Sequence, residues 1–357
     1  MSRVDLLAFN AEPTDIVGNY GGNMRKINLA VVGATGMVGN KFLEVLTERK
    51  LPVENYYLFA SAKSAGKVID FMGKPHTVIE LTEENVKKVN VDIALFSAGG
   101  SVSKVFAPIF AAQGAIVVDN SSQWRMDKDV PLVVPEVNPD DVDWNHGIIA
   151  NPNCSTIQAM LALKPLDEKY HIKRVVYSTY QAVSGAGVQG YMDLKDGIEG
   201  VAPKKFPYPI FGNVIPQIDV FLDNGYTKEE EKMINETRKI LHRPDMRITS
   251  TTVRVPVFNS HSESINIEFE KPATAEEVRE ILRKQPNVIV KDDIASAVYP
   301  TVIDADGHDE VFVGRIRQDF SVDSGVNLWC VADNIRKGAA TNAVQIAQSL
   351  IKLGLVK

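Results

Sequence analysis

Residues 26–49, KINLAVVGATGMVGNKFLEVLTER, decide the fold, because a short apolar run leads through a glycine loop into a helical pattern. KINLAVV ends at Gly33 and is typical of a buried strand, and the apolar residues of MVGNKFLEVLTER recur at helical spacing. Gly33, Gly36 and Gly39 permit a tight turn and let backbone N–H groups approach a pyrophosphate at the helix N-terminus. We therefore predict a dinucleotide site, although such glycines also occur in turns and tight helix packing that bind nothing.

The end of the second strand distinguishes the two nicotinamide dinucleotides. After YYLFA (56–60) the chain continues Ser61-Ala62-Lys63-Ser64, without a carboxylate. An NAD site usually places Asp or Glu here to bind the ribose 2′-hydroxyl, and that charge would repel a 2′-phosphate. Two hydroxyls and one cation therefore favour NADP, and the alternative is a solvated turn.

The pattern of strands and helices divides the chain into two regions that differ in fold class. Strands at 91–98 and 115–120 with a helix at 103–113 predict a parallel sheet with helices on both faces, as in a Rossmann-type α/β domain. After Asn151 the segments 174–185, 248–257 and 263–270 alternate and are rich in β-branched residues, which is typical of antiparallel strands. We expect amphipathic helices at 155–170, 227–241 and 274–284, and a final helix at 338–355 that packs back on the first domain.

These patterns predict an α/β dinucleotide-binding domain followed by an α+β domain with a mainly antiparallel sheet. We assign residues 25–153 to NADP binding, completed by the C-terminal helix 336–357, and residues 154–335 to catalysis and oligomerisation. Residues 1–24 are an N-terminal extension, for which we expect disorder. They carry three acidic residues and no sustained apolar core, so they resemble neither a signal nor a transit peptide.

Composition excludes several classes of protein. The net charge of −6 and pI near 5.6 argue against a nucleic-acid surface, which is normally basic. No apolar run approaches the ~20 residues that a membrane span requires. The two cysteines cannot form a disulfide framework and lack metal-site spacing, so we expect no metal and a reducing compartment, the cytoplasm.

Cys154 is the candidate nucleophile, within NPNCSTIQAMLAL (151–163). Asn153 is a good N-cap, so Cys154 is predicted to open a helix. The positive end of the helix dipole lowers the pKa of such a cysteine and favours the thiolate, which attacks acyl carbon to give a thioester. A lone cysteine is otherwise most often a small buried hydrophobe. We interpret Cys330, in the apolar run NLWCVADN, as such a packing residue.

The histidines give a weaker indication. Of the six, His261 lies in FNSHSES between two strand segments, where a loop or bulge can direct its side chain into a cleft. Judged by spacing alone, a histidine is more often a structural or solvated residue than a catalytic one, and this holds for each of the six.

Six ordered motifs together resemble the aspartate-semialdehyde dehydrogenase family, in the type found in Gram-positive and many other bacteria. They extend from about Lys26 to the C-terminus, so the resemblance covers nearly the whole chain except the leader. The motifs are GATGMVG, NSSQWRMD, NPNCST, YQAVSGAG, VRVPVFNSHSES and EEEKMINETRKIL.

The resemblance implies roles for individual residues. It makes Cys154 the nucleophile, His261 the acid/base and Gln181 the residue that orients the substrate. Arg254 and His261 are seven residues apart, which in an unbroken strand would put their side chains on opposite faces. If both face the substrate, Pro256 and the Asn259-Ser260 step must break the alternation. The implied substrate contacts are Arg254 for the carboxylate, Arg125 and Lys232 for the phosphate, Glu229 for the amino group, and Asn153 beside the nucleophile. The implied cofactor contacts are Gly33, Thr35, Gly36, Met37, Val38, Ser61, Lys63, Ser64, Ser97, Ala98, Gly99, Ser184, Gly185 and Asn334.

The resemblance also implies an NADPH-dependent, reversible reduction of L-4-aspartyl phosphate to L-aspartate 4-semialdehyde through a Cys154 thioester. That reaction serves the biosynthesis of lysine, diaminopimelate, methionine, threonine and isoleucine, and the family forms homodimers or homotetramers. Three alternatives stay open at this point: another acyl-phosphate reductase such as N-acetyl-glutamyl-phosphate reductase, a non-catalytic NADP-binding regulator, and a cysteine hydrolase. The cysteine hydrolase is the weakest alternative, because such an enzyme has no need of a dinucleotide-binding glycine loop.

Overall fold

The structure is a computed structural model that describes residues 25–356. The predicted extension, residues 1–24, lies outside the described residues. Within the described range, no helix is both long and apolar enough to cross a membrane.

The first part of the chain builds a six-stranded, wholly parallel sheet and a small antiparallel hairpin. Its strands are β1 (Ile27–Val32), β2 (Val53–Ala60), β3 (Val68–Phe71), β4 (Lys74–Thr77), β5 (Ile79–Glu80), β6 (Ile93–Phe96), β7 (Ile116–Asp119) and β8 (Ile148–Ala150). The order in the sheet is β5-β2-β1-β6-β7-β8, and β3 pairs with β4 apart from it. This confirms the predicted parallel sheet. The order reverses between β1 and β6, where open α/β sheets bind ligands.

Both faces of this sheet are buried, which explains why its strands are almost continuously apolar. The helices of this part are α1 (Met37–Arg49), α2 (Glu83–Lys87) and α3 (Gly100–Ala112). In β1, Leu29 and Val31 join the core formed with α1, whereas Ala30 and Val32 join the core formed with α3. Alternate residues of one strand thus serve two separate cores.

The second part of the chain builds a mixed sheet of six strands in the order β10-β9-β11-β14-β13-β12. The strands are β9 (Ile172–Gln181), β10 (Arg247–Arg254), β11 (His261–Phe269), β12 (Val288–Val290), β13 (Val311–Gln318) and β14 (Gly325–Ala332). The central pairs are antiparallel as predicted, but β10 runs parallel to β9 and β12 runs parallel to β13. The antiparallel prediction was therefore wrong for β10, because the connection from β9 crosses over through a helix instead of turning back directly.

Six further helices follow in the described chain, and the last of them packs on the first sheet. They are α4 (Cys154–Tyr170), α5 (Gly187–Gly197), α6 (Lys228–Ile240), α7 (Ala275–Arg283), α8 (Val302–Ala305) and α9 (Asn342–Lys352), with 3₁₀ turns at Pro139–Trp144 and Val183–Ala186. The bounds predicted for α4, α6 and α7 agree with the structure to within about one residue. The amphipathic description of α4 was wrong, since every residue from Ser155 to Leu163 is buried. α4 packs against β9, β11 and β14 on one side and α6 and α7 on the other.

The C-terminal segment returns to the first sheet, as predicted. It is not one regular helix, because Arg336–Thr341 forms a π-helical turn ahead of α9. In α9, Val344, Ala347 and Leu350 pack into the core that contains Leu29 and Val31. The π-turn therefore lies at the junction of the two sheets, where it also contacts α4.

Candidate active site

The site is a cleft of ≈ 490 Å³ at the junction of the two sheets. It brings together a majority of the predicted catalytic and substrate residues and a few of the cofactor residues. Those lining it are Met37, Val38, Arg125, Asn153, Cys154, Gln181, Ser184, Gly185, Glu229, Lys232, Arg254 and Asn334.

Cys154 is the first residue of α4, as predicted from the sequence. Asn153 is extended (φ −61°, ψ 144°), and its Oδ1 accepts hydrogen bonds from the amides of Ser155 at 3.0 Å and Thr156 at 3.3 Å. This is the geometry of an N-cap, in which the cap side chain satisfies two amides of the first helical turn. The half-buried thiol is thus held at the positive end of a 17-residue helix.

The expected lowering of the pKa of Cys154 is not what the site produces. Burial, and then the negative charge of Glu229, raise the pKa of Cys154 to about 12. Arg125, Arg254 and the Ser155 amide act in the opposite direction but do not prevail. The helix-dipole argument was wrong here because desolvation of a thiolate outweighs a partial positive charge. In this state the thiol is protonated at neutral pH.

Glu229 is the centre of a hydrogen-bond network beside the thiol. Its Oε1 accepts from Asn153 Nδ2 at 2.8 Å and from Gln181 Nε2 at 3.1 Å, and its Oε2 contacts Lys232 Nζ at 3.0 Å. Burial opposes ionisation of Glu229, but the charge of Lys232 and these hydrogen bonds outweigh it and hold its pKa at about 2. The i, i+3 spacing of Glu229 and Lys232 on α6 places both on one face, as predicted. Lys232 also bonds to Asp219 at 2.9 Å.

Arg125 is buried and held by a residue that the sequence analysis missed. Its Nη1 contacts Glu236 Oε1 at 3.0 Å, and its Nη2 donates to the carbonyl of Asn120 at 2.9 Å. The other oxygen of Glu236 accepts from the backbone N–H of Asn153 at 2.6 Å. Glu236 thus connects the arginine to the cap of the nucleophile helix. Its position seven residues after Glu229 on α6 was the available signal, because that spacing returns to the same helix face.

Arg254 differs from the other cations of the cleft. It is buried (4% exposed), and its Nη1 donates to the carbonyl of Ala182 at 2.5 Å, while its Nε has no hydrogen-bond partner within residues 25–356. Among those residues no carboxylate forms an ion pair with it. A buried guanidinium without a counter-charge is costly, so this position is suited to an anionic ligand.

His261 reaches the same corner of the cleft through a break in the chain direction. β10 ends at Arg254, Ser260 adopts a left-handed conformation (φ +69°), and β11 begins at His261. A Cβ placed on Gly185 would lie 3.1 Å from Arg254 Nη1 and 3.2 Å from His261 Nε2. The predicted break therefore does bring both side chains to one place.

The His261 ring is buried and neutral. Its Nδ1 accepts a hydrogen bond from the backbone N–H of Ala182 at 3.0 Å, so the proton of the neutral ring is on Nε2. Burial, and then the charge of Arg254, lower the pKa of His261 to about 3. Nε2 has no partner within the described range and is the atom that faces Gly185. The ring does not itself line the cleft, but its N–H donor lies directly behind Gly185, which does.

The glycine loop closes the other side of the site. Gly33 is left-handed (φ +87°), its N–H donates to Phe59 at 2.8 Å, and a Cβ on Gly39 would lie 2.0 Å from the Gly33 carbonyl oxygen. This tight packing leaves the first amides of α1 free to meet an anion. Met37 and Val38 line the same cleft as Cys154, so the end of the glycine loop and the nucleophile face one common space.

The remaining predicted cofactor residues lie at the carboxyl edge of the first sheet. Ser61 and Lys63 are exposed at the end of β2, and Ser64 Oγ accepts from Thr35 Oγ1 at 3.3 Å. Ser97, Ala98 and Gly99 follow β6 on the other side of the loop. These residues extend outward from the glycine loop and do not line the cleft itself. No carboxylate appears among them, which fits a 2′-phosphate.

Two further contacts complete the wall around the thiol. Asn334 exchanges hydrogen bonds with Ser184 Oγ, at 3.1 and 3.3 Å, and its Oδ1 accepts from the N–H of Ser260 at 2.9 Å. In the π-helical turn, a Cβ on Gly338 would lie only 2.8 Å from Cys154 Cβ. Sequence reasoning gave no sign of the second contact, because it joins positions far apart in the chain. π-turns in helices are frequent at functional sites.

Comparison with known proteins agrees with this geometry. Residues 28–144 match the family described as "Semialdehyde dehydrogenase, NAD binding domain", and residues 163–337 match "Semialdehyde dehydrogenase, dimerisation domain". An aspartate-semialdehyde dehydrogenase of Aquifex aeolicus is 58% identical over 337 residues, covering 92% of this chain and 99% of the relative. The chain belongs to the aspartate-semialdehyde dehydrogenase family. It is an oxidoreductase with the two-part fold of that family.

Solved structures of aspartate-semialdehyde dehydrogenases share this fold. The crystal structure of aspartate semialdehyde dehydrogenase II complexed with ASA from Vibrio cholerae superposes with a TM-score of 0.88 at 48% identity, covering 92% of this chain and 99% of that one. A family structure with NADP from Candida albicans has a TM-score of 0.73 at 27% identity, covering 91% and 98%.

Proposed function

We propose that the chain reduces L-4-aspartyl phosphate to L-aspartate 4-semialdehyde and inorganic phosphate, reversibly, through a thioester on Cys154. The observation that carries this is Arg254, a buried cation that forms no ion pair within residues 25–356 and lies near the half-buried thiol of Cys154. A bidentate contact to a substrate carboxylate satisfies it. The structure of a relative complexed with ASA supports a substrate of this size and charge.

The other charges of the cleft match the remaining groups of the substrate. Glu229, whose pKa is about 2, is ionised at working pH and meets the α-ammonium group. Arg125 and Lys232 meet the phosphate, and Gln181 orients the acyl group. The ammonium would offset the charge of Glu229, which is one of the two causes that raise the pKa of Cys154. Substrate binding therefore favours the thiolate.

Covalent chemistry at Cys154 follows in two stages. The sulfur bonds to the acyl carbon while the C–O bond to phosphate breaks, and the departing phosphate keeps that electron pair and takes up the thiol proton. NADPH, when bound, would supply the hydride that reduces the thioester carbon. The C–S bond of the reduced adduct then breaks, the aldehyde C=O forms, and the sulfur regains a proton from solvent. In the reverse direction the same steps run from aldehyde, NADP and phosphate.

His261 acts on the oxygen of the acyl group. Its Nε2–H lies directly behind Gly185 of the cleft, and a preorganised donor in a dry site stabilises a developing oxyanion. The acid/base role implied by the family stays a prediction. Protonation of Nδ1 would require His261 to give up its hydrogen bond from Ala182, so the neutral ring acts first as a hydrogen-bond donor.

The residues at the carboxyl edge of the first sheet would hold NADP(H). The first amides of α1 suit the pyrophosphate, and Ser61, Lys63 and Ser64 suit the 2′-phosphate. We assign the nicotinamide end to the side of the cleft with Ser184, Gly185 and Asn334. We also propose that the enzyme works in the cytoplasm as a homodimer or homotetramer, which the match to a dimerisation domain supports.

One assay tests the proposal. The protein is incubated with aspartate semialdehyde, NADP and inorganic phosphate, and NADPH absorbance is followed. We expect a signal that requires phosphate and disappears in Cys154→Ala. N-acetylglutamate semialdehyde in place of the substrate should give no comparable rate. Absence of phosphate dependence would reject the acyl-phosphate reaction, and full activity of Cys154→Ala would reject the thioester.

A further inference from the structure

A further buried acid, Glu263, does not line the cleft. Glu263 is fully buried in β11, two residues along the strand from His261. It pairs in register with Thr179 of β9 and Cys330 of β14, so its side chain is on the same sheet face as theirs. α4 covers this face, as shown by the contact of Cys330 Sγ with the carbonyl of Gln158 at 3.7 Å.

The surroundings of Glu263 contain no group that could balance a negative charge. Neither of its carboxyl oxygens has a hydrogen-bond partner within residues 25–356, and it forms no ion pair there. Ser155 Oγ, in the first turn of α4, is likewise without a partner. Within the described residues, the titratable groups that interact with it come from three elements and include no cation: Tyr177 on β9, Cys330 on β14 and Glu229 on α6.

We propose that Glu263 is a positioning residue for Cys154, held as a neutral carboxylic acid whose O–H donates to Ser155 Oγ. The two unpaired groups satisfy each other in this way, which an ionised carboxylate without a cation would not achieve as well. Burial raises the pKa of Glu263 well above its ordinary value, with the Ser155 hydroxyl opposing and the charge of Glu229 adding to the rise.

The consequence for catalysis passes through Ser155. Its backbone N–H is one of the groups that lower the pKa of Cys154, and the same N–H is held by Asn153 Oδ1 at 3.0 Å. A hydrogen bond from the Glu263 carboxyl group to Ser155 Oγ holds the serine side chain against the sheet. A neutral acid does this without placing another negative charge behind the thiol. The inference rests on the proposed role of Cys154 as nucleophile, but its tests do not require turnover.

The protonation state is tested by the stability of Glu263→Gln, which resembles the neutral acid in shape and charge. In the unfolded chain Glu263 ionises above its ordinary pKa of about 4.3, whereas in the folded protein it keeps its proton. Wild-type stability is therefore lost as pH rises between these two pKa values. We expect the folding equilibrium constant of Glu263→Gln relative to wild type to rise as pH increases from 5 to 7, by up to about tenfold per pH unit. A constant ratio over that range would overturn the neutral acid.

The positioning role is tested by the alkylation rate of Cys154 with iodoacetamide, with Cys154→Ala as the background. Glu263→Gln, which keeps a donor, should react within about twofold of wild type. Glu263→Leu and Ser155→Ala should each slow alkylation about five- to tenfold, and the double variant should be no slower than the worse single variant. Multiplied effects in the double variant, or a Gln variant as slow as the Leu variant, would overturn the proposal. Loss of phosphate-dependent turnover in the wild type would instead bear on the proposed function alone.

Discussion

Asn153 Nδ2 donates a hydrogen bond of 2.8 Å to Glu229 Oε1, while the Oδ1 of the same amide caps the helix that begins at Cys154. One side chain therefore couples the substrate-facing acid to the geometry of the nucleophile. The charge of Glu229 also raises the pKa of Cys154, so substrate recognition and thiol reactivity are connected.

Glu229→Gln should make Cys154 of the free enzyme more reactive toward an alkylating agent but weaken binding of the substrate. Removing the negative charge lowers the pKa of Cys154, so alkylation by iodoacetamide at pH 7.5 should rise several-fold, up to about tenfold for each pKa unit. The KM for aspartate semialdehyde should rise about tenfold or more because the ammonium loses its partner. Glu231→Gln, on the same helix outside the cleft, is the matched control. An unchanged or slower alkylation rate would contradict the electrostatic link.

Gly338→Ala should damage the site through a steric contact. The added methyl would lie 2.8 Å from Cys154 Cβ, so either the thiol or the π-turn must move. We expect a kcat about 10- to 100-fold lower, and a loss of about 1–3 kcal/mol in the free energy of unfolding. Gly197→Ala adds its methyl at an ordinary 3.5 Å from Phe211 and should leave both quantities nearly unchanged. Equal effects of the two substitutions would argue against a special contact.

Lys63→Ala should change the preference between the two dinucleotides. If Lys63 contacts the 2′-phosphate, the KM for NADP should rise about tenfold, the cost of one charge-assisted contact, while the KM for NAD stays constant. Lys74→Ala, at another exposed lysine, serves as the control. Steady-state kinetics with each cofactor measure the effect. Parallel increases for both cofactors would disprove recognition of the phosphate by Lys63.

The neutral state of His261 predicts a pH dependence of stability. The pKa of His261 is about 3 in the folded protein and about 6.5 in an unfolded chain, so only the unfolded chain takes up the proton between these values. Stability from this group is present above pH 6.5 and is lost as pH falls toward 3.

Urea unfolding of wild type and His261→Gln at pH 7.5, 6.0 and 5.0 measures this effect. Relative to the variant, wild type should lose up to about 1.4 kcal/mol per pH unit below pH 6.5. His146→Gln, at an exposed histidine, controls for removal of a histidine elsewhere. A difference between wild type and His261→Gln that does not change with pH would show that the folded ring takes up a proton as easily as the unfolded one.

Sequence patterns predicted the features that depend on interactions between residues close together in the chain. The strand, loop and helix around Gly33 were predictable because turn chemistry and periodicity act within a few residues. The cap of α4 by Asn153 was predictable for the same reason. The family motifs added Arg254 and His261, and the break required by their spacing is the left-handed Ser260.

Long-range packing determined what the sequence did not reveal. Glu236 contacts Arg125 across 111 positions of the chain, and no periodic pattern reports such a pair. The parallel direction of β10 depends on its crossover connection, and the burial of α4 depends on the second sheet together with α6 and α7. The pKa of Cys154 was predicted in the wrong direction because the helix terminus is visible in sequence, whereas desolvation and Glu229 are not.

The π-helical turn and α9 have a joint consequence, because they belong to one continuous segment of the chain. Gly338 of this segment lies against Cys154, and α9 covers one face of the first sheet. The same segment therefore supplies a wall beside the thiol and part of the core that contains Leu29 and Val31. A chain truncated after 335 should lose both at once, so it should bind an apolar dye and be alkylated faster at Cys154 than the chain that keeps the segment. Protection of the reactive sulfur and integrity of the nucleotide-binding sheet are thus inseparable.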